Sequence, residues 1–280
     1  MDLKQNPFSL YDFLGYFTPG ALFLYGLMAA YAHAQPDITV LGYITATLSS
    51  KTPEVYIPFI LVAYATGHLL SFLSSITVER YSIWAFGYPS KYLLDLSPDG
   101  YFEIREKRGI RIVMRTIVAI LLTPIVAMDW LLGEKAGLRD LYAKKLDPLL
   151  IAILKNKLHK LVIEHANIKK PSEYGTADEH DYFRYAYHYT VENAPNHLPK
   201  MQNYVALYGF LRTLTLLVVV IFWGLIWHAV RGTFTGIQSV ALLTLSILVS
   251  YVTFMAFVKF YRRFSLEALM ALGASYTKPT

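Results

Sequence analysis

Four stretches of the chain are apolar at almost every position. They occupy residues 15–32, 55–78, 213–230 and 238–258, draw mainly on Leu, Ile, Val, Phe and Ala, and hold no Asp, Glu, Lys or Arg. A helix rising about 1.5 Å per residue crosses a hydrocarbon core in roughly 20 residues, so each stretch reads as a transmembrane helix. A fifth segment, 116–132, has only 13 uninterrupted apolar residues before Asp129 and contains Pro124. That length suits a buried or interfacial helix better than a span. Between the second and third spans the pattern turns helical and amphipathic. Asp147-Pro148 is a helix start, with Asp as N-cap and Pro in the first turn. Ile151, Leu154, Leu158, Leu161 and Ile168 then recur on one face, predicting a helix over 148–168. No alternating strand pattern appears. Pro89-Ser90, Ser97-Pro98-Asp99-Gly100 and Lys170-Pro171-Ser172 read as turns.

The pattern predicts an all-α integral membrane protein, with four transmembrane helices (2+2) flanking a mainly helical cytoplasmic domain. Its parts are an N-terminal membrane region over 1–78, a basic, tyrosine-rich domain over 79–205, a C-terminal membrane region over 206–258 and a tail over 259–280. Composition agrees: 55% of residues are hydrophobic and 16% charged, against about 45–50% and 25% in a soluble domain. The absence of cysteine excludes disulfides, thiolate nucleophiles and cysteine-held metal.

Charge orients the spans. Of 26 Lys and Arg, 19 lie within 79–212, and the loops 33–54 and 231–237 hold one each, Lys51 and Arg231. Basic residues mark the cytoplasmic side, so four spans put both ends and the middle region inside. A fifth span would place 134–201, with 11 basic residues, outside. Ala32-His33-Ala34 resembles a signal-peptide cleavage site, but Asp2 and Asp12 against Lys4 give no positive n-region, so the first span reads as an anchor with a kink at Pro19-Gly20. After the fourth span, Lys259, Arg262 and Arg263 are placed to meet anionic headgroups, and the helix is predicted to continue over 265–272.

Candidate chemistry is sparse. The chain has no metal-binding His pair, no phosphate-binding glycine loop and no nucleophile elbow, so it is read as a non-enzyme without cofactor or metal. Two spans carry polar faces. In the second, His68, Ser71 and Ser75 recur at helical spacing; in the fourth, Ser246, Ser250 and Thr253 do so. Such faces line a pore or cavity, or they hold helices together. His68 is the one ionisable group near a midplane. The third span is apolar all round and reads as lipid-facing. In the middle region Arg105, Lys107, Arg108, Arg111 and Arg115 cluster, and Lys155, Lys157 and Lys160 share one helix. Residues 180–190 interleave five aromatics with Arg184 and His188. Aromatic faces stack bases and cations neutralise phosphates, so Arg184, Tyr185 and Tyr187 join the basic residues as candidate ligand contacts. The same tyrosines equally suit packing beneath a membrane interface.

The layout, together with Asp12-Phe-Leu-Gly-Tyr-Phe-Thr-Pro-Gly20 and Phe257-Val-Lys-Phe-Tyr-Arg-Arg-Phe264, resembles the HalA-like channel-forming membrane effectors of the bacterial Hailong anti-phage defence system. The resemblance implies a homo-oligomeric ion channel of the bacterial inner membrane, held closed by a short DNA oligomer from a partner nucleotidyltransferase. Loss of that oligomer during infection would open the channel and depolarise the host. The sequence also admits a membrane anchor that recruits a protein partner, or an integral-membrane lipid enzyme using His68. Conductance separates the first reading from these two, and lipid turnover singles out the last.

Overall fold

The computed structural model describes residues 12–33, 39–48, 53–96, 101, 109–174, 180–232 and 235–275. Among them every regular element is a helix. Four helices are long and apolar enough to cross a membrane, within Phe13–Ala32, Tyr56–Leu93, Pro195–Val230 and Gly236–Ser275. The chain forms two compact units, one from residues 1–79 and 209–254, the other from 80–208 and 255–280.

In the first unit, a π-turn at Phe13–Phe17 leads into α1 (Thr18–His33). Pro19 has no N–H to donate, and the ladder widens just before it, where the Thr18 N–H and hydroxyl both reach the Phe13 carbonyl. The segment 33–54, read from sequence as a loop, contains α2 (Val40–Leu48), which packs on α1. Its nine residues are too few to register as a span. Helix α3 (Pro53–Ser74) crosses α1 at close range. A Cβ on Gly20 would strike the Ala63 carbonyl, and one on Gly67 would strike the Tyr16 carbonyl, so the crossing is backbone against backbone.

The second unit begins with α4 (Arg80–Phe86) and α5 (Pro89–Leu93). Pro89 opens a helix here instead of a plain turn, because a first-turn residue needs no N–H partner. Of the other predicted turns, Pro171 starts a short 3₁₀ helix, Pro171–Tyr174, and 97–100 lies outside the described residues. Helix α6 (Gly109–Leu121) bends by 85° into α7 (Thr123–Met128) and the π-turn Asp129–Lys135. Neither arm alone is long enough to cross a membrane; together they are long and apolar enough for one bent span. Helix α6 turns Ile110, Val113, Met114 and Ile117 outward, whereas Arg115 lies over the Trp84 and Tyr101 rings and Val118 is buried.

The unit continues through α8 (Arg139–Tyr142), α9 (Pro148–Lys160) and α10 (Tyr182–Asn193). Asp147 caps α9 through a 2.9 Å bond from the Leu149 N–H, and Leu154, Leu158 and Leu161 are buried as the periodicity predicts. A π-turn over Leu161–His165 follows α9 directly and ends the helical run short of Ile168. Asn167 adopts φ 56°, and the Ile168 N–H folds back to the Val162 carbonyl, a left-handed C-terminal stop that asparagine tolerates.

Two helices contribute to both units. They are α11 (Leu198–Val230) and α12 (Gly236–Ser275), each unbroken along its length. Gly232, at φ 71°, follows the end of α11. Thr235 and Gln238 form a reciprocal capping box at the start of α12. The third span is not lipid-facing all round. Thr213, Thr215, Leu216 to Val219 and Phe222 are buried, and its apolar stretch is the most enclosed of the four, 39% against 22–33%. A helix that is apolar on every side carries no signal of which face meets lipid, and it suits burial as well.

Candidate functional site

A cavity in the second unit holds about 590 Å³, within the range of small-molecule sites. Its walls are almost wholly apolar, formed by Leu94, Leu96, Leu158, Val162, Ile168 and Tyr182. Lys155, His159, His180 and Asp181 stand at its polar edge. Lys155 and His159 are one turn apart on α9 and exposed, and Asp181 is paired with Arg184 at 3.3 Å. Leu94 and Leu158 also belong to the core cluster that includes Leu154, Leu161, Leu269 and Leu272. The cavity wall and the end of α12 therefore share one core. Beside the wall, Asp95 accepts a 2.7 Å bond from Lys145, and this bond and charge lower its pKa.

The candidate ligand residues fall into separate groups. Lys155, Lys157 and Lys160 on α9, and Arg184, Tyr185 and Tyr187 on α10, lie on helices that share that core. The Tyr185 hydroxyl is hydrogen-bonded to His165 at 2.7 Å, and Tyr187 packs on Phe183 and Phe264. The aromatics of 180–190 do not form one platform. Tyr182, Phe183 and Tyr189 pack against the core, whereas Arg184 and His188 are exposed. On α6, Arg111 is exposed, and Arg115 donates to the Tyr101 carbonyl. Burial pushes the Tyr101 phenol up to about 12, against the opposing pull of Arg115. Arg105, Lys107 and Arg108 lie outside the described residues.

In the first unit, the His68 ring stacks on Tyr16 at 3.8 Å and meets Tyr64 edge-on at 4.6 Å. The Ser75 hydroxyl donates to the Phe72 carbonyl. Ser246, Ser250 and Thr253 are buried, and their hydroxyls donate to carbonyls of their own helix. Ser71 belongs to a cluster that the pattern of the spans did not reveal. Arg212 pairs with Glu79 and donates to the Ser74 hydroxyl (3.0 Å) and to the Ser71 hydroxyl and carbonyl (3.2 Å each). The Ser74 and Thr213 hydroxyls are 3.4 Å apart. Both ionic partners are largely enclosed, at 12% and 20% exposure. The available signal was that Glu79 ends one apolar run and Arg212 precedes another, with opposite charge.

Arg212→Ala removes the Arg212–Glu79 pair and the bonds to Ser71 and Ser74, and about 2 kcal/mol of stability is expected to go with them, below the cost for a fully buried pair. Melting in detergent checks this, and Glu79→Arg with Arg212→Glu should recover part of the loss. No group of three or more His, Cys, Asp or Glu among the described residues could hold a metal. No family model, curated protein or solved structure matches the chain.

Proposed function

We propose that the protein is a homo-oligomeric, pore-forming effector of a bacterial inner membrane, gated through its second unit by an anionic ligand. Its multi-pass character rests on the four long apolar helices. Gating is supported above all by one observation: α12 supplies a membrane-length apolar segment and then continues unbroken into the core that borders the cavity. A ligand that changes how Leu158 packs acts on the same cluster as Leu269 and Leu272. The ends and the second unit are assigned to the cytoplasm from the distribution of basic residues. The outward apolar stripe of α6, with Arg115 drawn inward over aromatic rings, fits a helix lying in the membrane interface.

The gating ligand is proposed to be a nucleotide or DNA oligomer supplied by a partner nucleotidyltransferase, held by the lysines of α9 with Arg184. The biological role is anti-phage defence by depolarisation, the role that the resemblance implies. Expressed alone in bacteria, the protein is expected to collapse the membrane potential, read with a potential-sensitive dye. Co-expression of an oligomer-producing nucleotidyltransferase should restore it. Unchanged potential with the protein abundant in the membrane contradicts the proposal.

A further inference from the structure

We propose that the cavity of the second unit binds a single-chain amphiphile, a long acyl chain carrying an acidic head. The chain lies along Leu94, Leu158, Val162 and Ile168, and the head sits at Lys155 and His159. This goes beyond the gating proposal, with which it shares Lys155, and it is read by binding instead of current, so either can fail alone.

The argument starts from the walls. A concavity of about 590 Å³ lined by leucine, isoleucine, valine and tyrosine is poorly solvated when it holds water, because water there finds few polar partners. A nucleobase would need hydrogen-bonding groups on those walls to be recognised, and the wall tyrosine Tyr182 already directs its hydroxyl to the Ser90 carbonyl at 3.4 Å. An acyl chain needs only apolar contact, and each buried methylene tightens binding about fourfold.

The edge then selects the head. Lys155 and His159 project from successive turns of α9, and His180 also lines the cavity. The carboxylate at the edge, Asp181, is offset by Arg184. The remaining balance favours an anion, which a lysine ammonium holds by a charge-assisted hydrogen bond. A fatty acid carboxylate and a monoacyl phosphate both meet these demands, and the shared chemistry is the acyl anion.

The test is photoaffinity labelling of the full-length protein in lipid nanodiscs with a diazirine-bearing palmitate, followed by peptide mapping. Label is expected on residues 149–168 and 180–189, and unlabelled palmitate should compete for it. Hexadecanol, which has no acidic head, should compete at least tenfold less well. Competition by lysophosphatidate against palmitate identifies which acidic head is preferred. Val162→Trp, which fills the cavity, should abolish this labelling, and Lys155→Glu should reduce it several-fold. Lys155 is exposed, so its variant tests the site even where Val162→Trp destabilises the unit. Labelling confined to the spans, or labelling of the second unit that ignores Lys155→Glu and competes equally with hexadecanol, overturns the proposal.

Discussion

Replacing Gly67 with alanine is expected to loosen the pairing of α1 and α3, at a cost of about 3 kcal/mol, the upper part of the range for overpacking. The added methyl would fall on the backbone carbonyl of Tyr16. Backbone cannot rotate away as a side chain does, so the helices must separate. Gly20 meets the Ala63 carbonyl in the same crossing, and Gly20→Ala should cost a similar amount. The double variant should cost less than the sum, because either methyl alone opens the shared contact. Gly26 is the control. It lies on α1 with Gly20, and a Cβ there meets nothing within 4 Å, so Gly26→Ala should be neutral or slightly stabilising through helix propensity. Thermal unfolding in detergent compares the four variants with the unaltered protein. Equal melting of the Gly67 and Gly26 variants would remove the backbone crossing as the tie between these helices.

The second large effect is expected at Asp129, where the bent segment of the second unit is anchored. Its carboxylate is 1% exposed and accepts from Arg139 Nη2 at 2.7 Å, from the Tyr142 hydroxyl at 2.5 Å and from the Tyr81 hydroxyl at 3.4 Å. Burial alone would lower the Arg139 pKa, but the hydrogen bond and charge of Asp129 raise it overall. Asp129→Ala removes the acceptor shared by Arg139 and two phenols and leaves Arg139 the longer contact with Glu134 at 3.5 Å. The expected loss is about 3 kcal/mol, the lower end for a broken buried pair, because Arg139 keeps a third of its side chain in water. Asp129→Asn should be nearly as damaging, since its amide turns donors toward donors. Arg139→Met added to Asp129→Ala should recover part of the loss, because it removes a half-buried charge whose nearest carboxylate has gone.

Hydropathy located four long helices because length and apolarity are what a bilayer demands, but it did not locate their ends. Past the second apolar stretch the chain stays helical to Phe86, and the third and fourth helices extend over 198–230 and 236–275, since a helix continues past the hydrocarbon wherever its polar residues keep helical geometry. The start of α12 was written locally, in Thr235 and Gln238. The stop of α9 was not, because its left-handed residue is Asn167 and not glycine. The small polar face of Ser246, Ser250 and Thr253 is real and buried, yet sequence alone does not say whether such a face meets helices or water. In the aromatic run, reading along the chain grouped Tyr185 with Tyr187. The helical turn instead separates an inward set from exposed Arg184 and His188. The cavity left no motif at all, because Leu94, Leu158, Ile168 and Tyr182 come from separate segments and become a wall only on folding.

Planar-bilayer recording of the purified, detergent-extracted protein tests the pore directly. The account predicts discrete conductance steps, seen in protein-containing membranes and absent from protein-free controls, and closed by an added anionic ligand of the second unit. Membranes that contain the correctly inserted oligomer and remain electrically silent under every ligand condition would contradict it.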